Sequence, residues 1–235
     1  MASLTIATAL AEIRNRIAAA ATRAGRDPAS VTLVAVSKKV ASARIAEAAQ
    51  AGITCFGESY VQEALAKQQD PVLADAVLNW HYIGHLQRNK ARDVVGRFEL
   101  LHGVDSITLA RAIGERGQES GLVAAILLQV KLDPNPNKFG ISLDDVAETV
   151  EAASRIPGIE VVGLMGIPPP ADDPEAARAP FRELRSQFLA LPPEMRKVLS
   201  MGMSGDFEVA VEEGATHVRI GTALFGPRMV STKAT

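Results

Sequence analysis

Eight apolar runs recur along this chain, with helical patterns between them from one end to the other. The runs lie near 31–37, 53–56, 79–83, 98–102, 122–130, 159–164, 197–200 and 216–220. The helical stretches lie near 42–51, 58–69, 87–96, 106–119, 142–154, 174–190 and 204–213. Strands that alternate with helices pair in parallel, and eight such units in 235 residues predict an α/β fold, a single (β/α)8 TIM-type barrel. One domain over 1–235 is expected, with an N-terminal helix over about 3–24 packed on it. Leu10, Ile13, Ile17 and Ala21 give that helix its apolar stripe, and Glu12 interrupts the positive run that a transit peptide would need. Turn signals agree: Gly52, Gly121, Gly158 and Gly214 follow helices or precede strands, and Ser142 and Ser106 (or Asp105) sit where caps belong. A doubly wound open sheet would carry a glycine-rich turn after its first strand, but here that strand ends in Ser37-Lys38-Lys39. The proline-rich stretch 167–174 reads as a solvated connection rather than a lid.

Composition narrows the partners. A net charge of -2 gives no electrostatic case for nucleic acid or an anionic membrane, and no apolar run approaches a membrane span. The lone cysteine, Cys55, rules out an internal disulfide and suits a reducing compartment. A soluble cytoplasmic protein is expected.

Function in a parallel barrel gathers where strands end at their C-terminal side. Lys38 closes the first apolar run, and a lysine there needs water, an anion or a covalent partner. A desolvated lysine can form a Schiff base with an aldehyde. Beyond the seventh run come Ser200, Met201, Gly202 and Ser204, and beyond the eighth Gly221 and Thr222. Glycines there let backbone N–H groups approach an anion, and hydroxyls add donors, so the two loops together favour phosphate. His81 and His85 have i,i+4 spacing but sit on a strand and turn, where a structural role outweighs a metal site. Glu58 either orients the Lys38 amine or lies in the first turn of a helix. The ligand so defined carries a carbonyl and a phosphate. Pyridoxal 5′-phosphate and the sugar phosphates of a lysine aldolase both qualify.

Longer segments separate the two. Val34-Ala35-Val36-Ser37-Lys38, the run from Phe56 to Glu63, the run from Trp80 to Lys90, Gly163-Leu164-Met165, Leu199 to Asp206 and Arg219 to Gly226 follow in order. Together they resemble the YggS/PROSC family of pyridoxal-phosphate-binding homeostasis proteins. The resemblance implies a barrel like the N-terminal domain of bacterial alanine racemase, with Lys38 rather than Lys39 forming the Schiff base. It maps Ser200, Gly221 and Thr222 to the phosphate cradle, with backbone at Met201 and Ser204 nearby, and Arg219 to the pyridine nitrogen. Ser59 falls beside the cofactor ring, where the family usually has Asn. The family commonly has Ser where this chain has Gly103, and the stretch 131–138 departs from the usual pattern.

Residue chemistry then bears on turnover. A strong electron sink needs a protonated pyridine nitrogen, which an arginine cannot hold. A racemase needs a second acid/base opposite the lysine, which alanine racemases take from an additional domain, and 235 residues leave no room for it. The expected role is binding, buffering and delivering pyridoxal phosphate, with apo-enzymes that use the cofactor as recipients. Racemisation of alanine racemase type is the alternative, and a monomer or weak dimer is expected.

Overall fold

The structure is a computed structural model that describes residues 5–227. Eight strands close into a parallel barrel in chain order: β1 (Thr32–Val36), β2 (Cys55–Glu58), β3 (Asn79–Tyr82), β4 (Leu100–Val104), β5 (Ala124–Lys131), β6 (Ile159–Ile167), β7 (Val198–Ser200) and β8 (His217–Ile220). Closure is made by β8 on β1, where Val34 lies opposite Arg219 and Ala35 opposite Ile220. Each of the eight expected strands is present. Their sequences are nearly continuous apolar runs because a parallel barrel buries both faces of every strand, one in the lumen and one under helices.

The helices are α1 (Ile6–Arg23), α2 (Ser42–Gln50), α3 (Val61–Gln68), α4 (Ala91–Val94), α5 (Ile107–Ser120), α6 (Val146–Ser154), α7 (Arg178–Ala190), α8 (Phe207–Glu212) and α9 (Thr222–Phe225). The apolar stripe of α1 is buried from Ile6 through Leu10, Ile13 and Ile17 to Ala21, and Thr5 caps its start through Thr8 N at 3.2 Å. Positions 3 and 4 of the expected helix lie outside the described residues. Ser106 accepts from Leu109 N at 3.3 Å and Ser142 from Asp145 N at 3.3 Å, so both expected caps hold. The helix expected over 58–69 starts only at Val61, because Glu58 belongs to β2. That expected over 87–96 is a 3-10 turn, Arg88–Lys90, followed by four helical residues.

Arginines fasten α8, which follows the β7 loop, to its surroundings. Arg16 pairs with Glu208 and Arg23 with Glu212, each at 2.7 Å, while Arg178 reaches Glu212 and Glu213, also at 2.7 Å. These contacts hold α8 against α1 and α7. Cys55 is buried, and burial pushes its thiol up to about 12, so it is unreactive in the fold. Among the described residues no helix is long and apolar enough to cross a membrane.

Candidate functional site

Lys38 lies two residues past the end of β1 and lines a cleft at the barrel mouth with Ser59, Tyr60, Tyr82, His85 and Lys90. Its neighbours are held tightly. Ser37 is fully buried and donates its hydroxyl to Glu58 Oε1 at 2.7 Å. Lys67 Nζ donates to Ser37 O at 2.7 Å, to Glu58 Oε1 at 2.7 Å and to Glu63 Oε1 at 2.6 Å. Lys39 adopts a left-handed backbone with φ 61°, and its amide donates to Glu63 Oε1. A non-glycine residue in that region costs about 1–2 kcal/mol. Burial raises the Glu58 carboxyl above the usual carboxylate range against the pull of Lys67 and Ser37, and Glu58 Oε2 has no hydrogen-bond partner among the described residues. Lys67 was not legible as a site residue in the sequence. The Glu63–Lys67 spacing on a helix was the available signal, but nothing in it announces burial.

The Ser59 loop is fixed by close backbone packing. A Cβ on Gly84 would lie 2.4 Å from Ser59 O and 2.8 Å from Ser59 Cα, and one on Gly103 would lie 2.3 Å from Gly84 O. The loops after β2 and β3 and the end of β4 therefore stack through glycine. That accounts for Gly103 here: this packing leaves no space for a side chain. Tyr82, buried, donates to Ser59 O at 3.2 Å. Gly84→Ala is expected to cost about 1–3 kcal/mol of stability by forcing the Ser59 backbone aside, read as a lower urea midpoint with unchanged slope.

A second polar group fills the lumen. Arg219 on β8 is buried and donates to Ser200 Oγ at 2.7 Å and to Gly166 O at 3.1 Å. Ser200 Oγ lies 2.9 Å from His102 Nδ1, and His102 Nε2 lies 3.0 Å from His81 Nδ1. These groups come from β3, β4, β7 and β8, so they can meet only across the barrel interior. The His217 ring stacks on that of His81 with centroids 5.9 Å apart, and burial lowers all three histidines: His81 to about 3, His217 to about 4, and His102 well below the usual range. Burial also draws Arg219 down to about 10, which leaves it charged near neutrality. A consistent proton order follows: Arg219 donates to Ser200, Ser200 to His102, and His102 to His81. His85 parts from His81 and stacks on Phe139 with ring centroids 3.7 Å apart, its Nδ1 3.0 Å from Asp105 Oδ2.

The loops after β7 and β8 touch each other. Ala223 N donates to Ser204 Oγ at 3.4 Å, which sets Ser204 beside Thr222. Thr222 is exposed and Ser204 and Gly221 half-buried, so all three are accessible to a ligand. Gly221 backs onto the end of β1, where a Cβ would lie 3.3 Å from Val36 Cβ. The phosphate-type loop thus adjoins the strand that presents Lys38. Met201 is fully buried, and its N–H is taken by His217 O at 3.1 Å. Ser200 is likewise inside, engaged with Arg219. The structure therefore groups the expected residues as Lys38 with Ser59, Ser204 with Gly221 and Thr222, and Ser200 with Arg219.

A closed parallel barrel with a lysine after β1 and hydroxyl-bearing loops after β7 and β8 defines a class, and comparison with known proteins supplies its members. Residues 8–229 match the family described as "Alanine racemase, N-terminal domain". A "Pyridoxal phosphate homeostasis protein" of Pseudomonas aeruginosa is 44% identical over 224 residues, covering 95% of this chain and 96% of that protein. One of the same name from Aquifex aeolicus is 40% identical, covering 93% and 96%. The solved structure of PipY of Synechococcus elongatus with PLP bound is 41% identical, with a TM-score of 0.79, covering 91% of this chain and all of that one. The chain belongs to the family of pyridoxal phosphate homeostasis proteins.

Proposed function

We propose that this protein binds pyridoxal 5′-phosphate reversibly through Lys38, and buffers and delivers the cofactor in the cytoplasm, as a monomer, with little or no turnover of its own. The observation that carries the reading is Lys38 at the barrel mouth beside the β7 and β8 loops, in a chain 41% identical to a protein solved with PLP bound. The residues fit the group. Lys38 would offer the amine, Ser204 and Thr222 hydroxyls and Gly221 an unshielded backbone to a phosphate, and Ser59 lines the mouth cleft with Lys38. When bound, the cofactor supplies an aldehyde that condenses with an amine to a Schiff base, releasing one water.

Arg219 presents N–H donors only and stays protonated near neutrality, so to a ring nitrogen it would offer a hydrogen bond and not the carboxylate that stabilises a pyridinium. Ser200 acts through Arg219, orienting the guanidinium rather than touching phosphate, because its oxygen is enclosed between Arg219 and His102. Facing such a donor, a ring nitrogen would stay neutral and would stabilise a carbanion poorly, which favours holding the cofactor over turnover.

The test is a titration of the purified protein with pyridoxal phosphate, followed by borohydride and peptide mapping. An absorption band that borohydride removes, with the mass gained on Lys38, supports the proposal; a colourless protein, or mass on Lys39, overturns it. Transfer of the bound cofactor to an apo-enzyme, read as regained activity of that enzyme, tests delivery. Exchange of an amino acid α-hydrogen in deuterated water would instead point to racemase chemistry.

A further inference from the structure

We propose that Lys67 is a positioning residue for Lys38, acting through both of its chain neighbours; this rests on the reading that Lys38 makes the covalent link. A lysine ammonium has three N–H donors, and here all three are spent within one small network. One goes to Ser37 O, one to Glu58 Oε1 and one to Glu63 Oε1, at 2.7, 2.7 and 2.6 Å. Glu58 Oε1 also accepts the Ser37 hydroxyl at 2.7 Å, and Glu63 Oε1 also accepts the Lys39 amide. The residue before Lys38 is therefore held by its carbonyl and its hydroxyl, and the residue after it by its N–H.

The network is an expensive way to gain stability. The Lys67 and Glu58 side chains are 8% and 0% exposed, and a buried ion pair is often no better than well-packed apolar residues. Two carboxylates share one ammonium, and Glu58 Oε2 is left without a partner among the described residues. What the arrangement does supply is geometry. It fixes the end of β1 and the left-handed turn at Lys39, so Lys38 leaves the strand in one direction. A reacting amine misplaced by about 1 Å loses on the order of a hundredfold in rate, which gives such a clamp a purpose.

Pyridoxine 5′-phosphate, which has the ring and phosphate but no aldehyde, separates binding from capture. Lys67→Met is expected to take up pyridoxine 5′-phosphate within about twofold of the parent, yet to give borohydride-trapped product on Lys38 with pyridoxal phosphate on the order of tenfold more slowly. Lys67→Arg, which keeps the charge and several donors, should recover part of the lost rate. Equal weakening of both ligands marks a general loss of structure and overturns the proposal, as does an unchanged trapping rate. Should Lys67→Met fail to fold, Glu63→Gln decides: its side chain is 26% exposed, and it leaves the Glu58–Lys67 pair intact while loosening the hold on Lys39. Slower trapping with unchanged pyridoxine 5′-phosphate binding supports the proposal, and unchanged trapping sinks it. A parent protein that traps nothing on Lys38 defeats the proposed function; a parent that traps normally beside equally fast variants defeats only the role of Lys67.

Discussion

Lys38→Ala is expected to abolish the borohydride-trapped product and to weaken pyridoxal phosphate binding by on the order of a hundredfold, about 2.7 kcal/mol. The loss should be specific to the ligand. Lys38 lines the mouth cleft, whereas the turn that carries it is built from contacts of Ser37 and Lys39. Those contacts involve the backbone of Ser37 and Lys39 rather than the Lys38 side chain, so the turn should persist in the ligand-free variant. Lys39→Ala is the matching control: its side chain is exposed, and the contact it makes with Glu63 is through the backbone amide, so trapping on Lys38 should persist. Product trapped in Lys38→Ala on another amine of the mouth, such as Lys90, would show that the cleft captures aldehydes without a dedicated lysine.

The barrel itself was legible because its strands state their burial in sequence. Val31 through Val36 is one apolar run, and β8 opposite it, from His217 to Ile220, supplies the closing edge. Lys38 and the β7 and β8 loops were legible for a related reason: a parallel barrel collects function at one end, so residues just after strands can be read as a group. Helix limits were less so. Gln87 to Lys90 is polar throughout and forms only a 3-10 turn before the short α4, since the segment has no apolar face to bury until Ala91 and Val94.

The parts of the site that sequence did not disclose are pairings made by closure. Ser37 and Lys67 lie 30 positions apart, and His102 and Ser200 lie 98 apart. No local period encodes such contacts; they follow from strand register, which brings Gly57 beside Val36 and Ser200 beside His217. Ser200 shows the consequence. As a serine ahead of a glycine loop it reads as a phosphate donor, but register turns its oxygen inward to Arg219. The hydroxyls that face the loop surface are Ser204 and Thr222.

The histidine group makes the fold acid-sensitive, and the sign can be worked out. His81, His102 and His217 are held neutral in the fold, at about 3, well below the usual range, and about 4. In the unfolded chain each titrates near 6.5. Below that value the unfolded state binds more protons than the native one, so stability rises with pH through the window and is lost as pH falls from about 7 toward 4. Each histidine contributes about 1.2 kcal/mol of loss between pH 7 and 5.5, or about 4 kcal/mol for three. Glu58 and Asp206 oppose this, because burial raises both and each binds a proton in the fold above its unfolded value. They offset at most one proton each, against three for the histidines. The expected result is a loss of about 1–4 kcal/mol between pH 7 and 5.5, measured as a falling urea midpoint in the ligand-free protein. His102→Asn should be less stable at pH 7, since it breaks the contact to His81 or Ser200, yet its stability should depend less steeply on pH by about one proton. A midpoint that stays level from pH 7 to 5.5 would mean that these histidines are not buried as neutral groups in the barrel lumen.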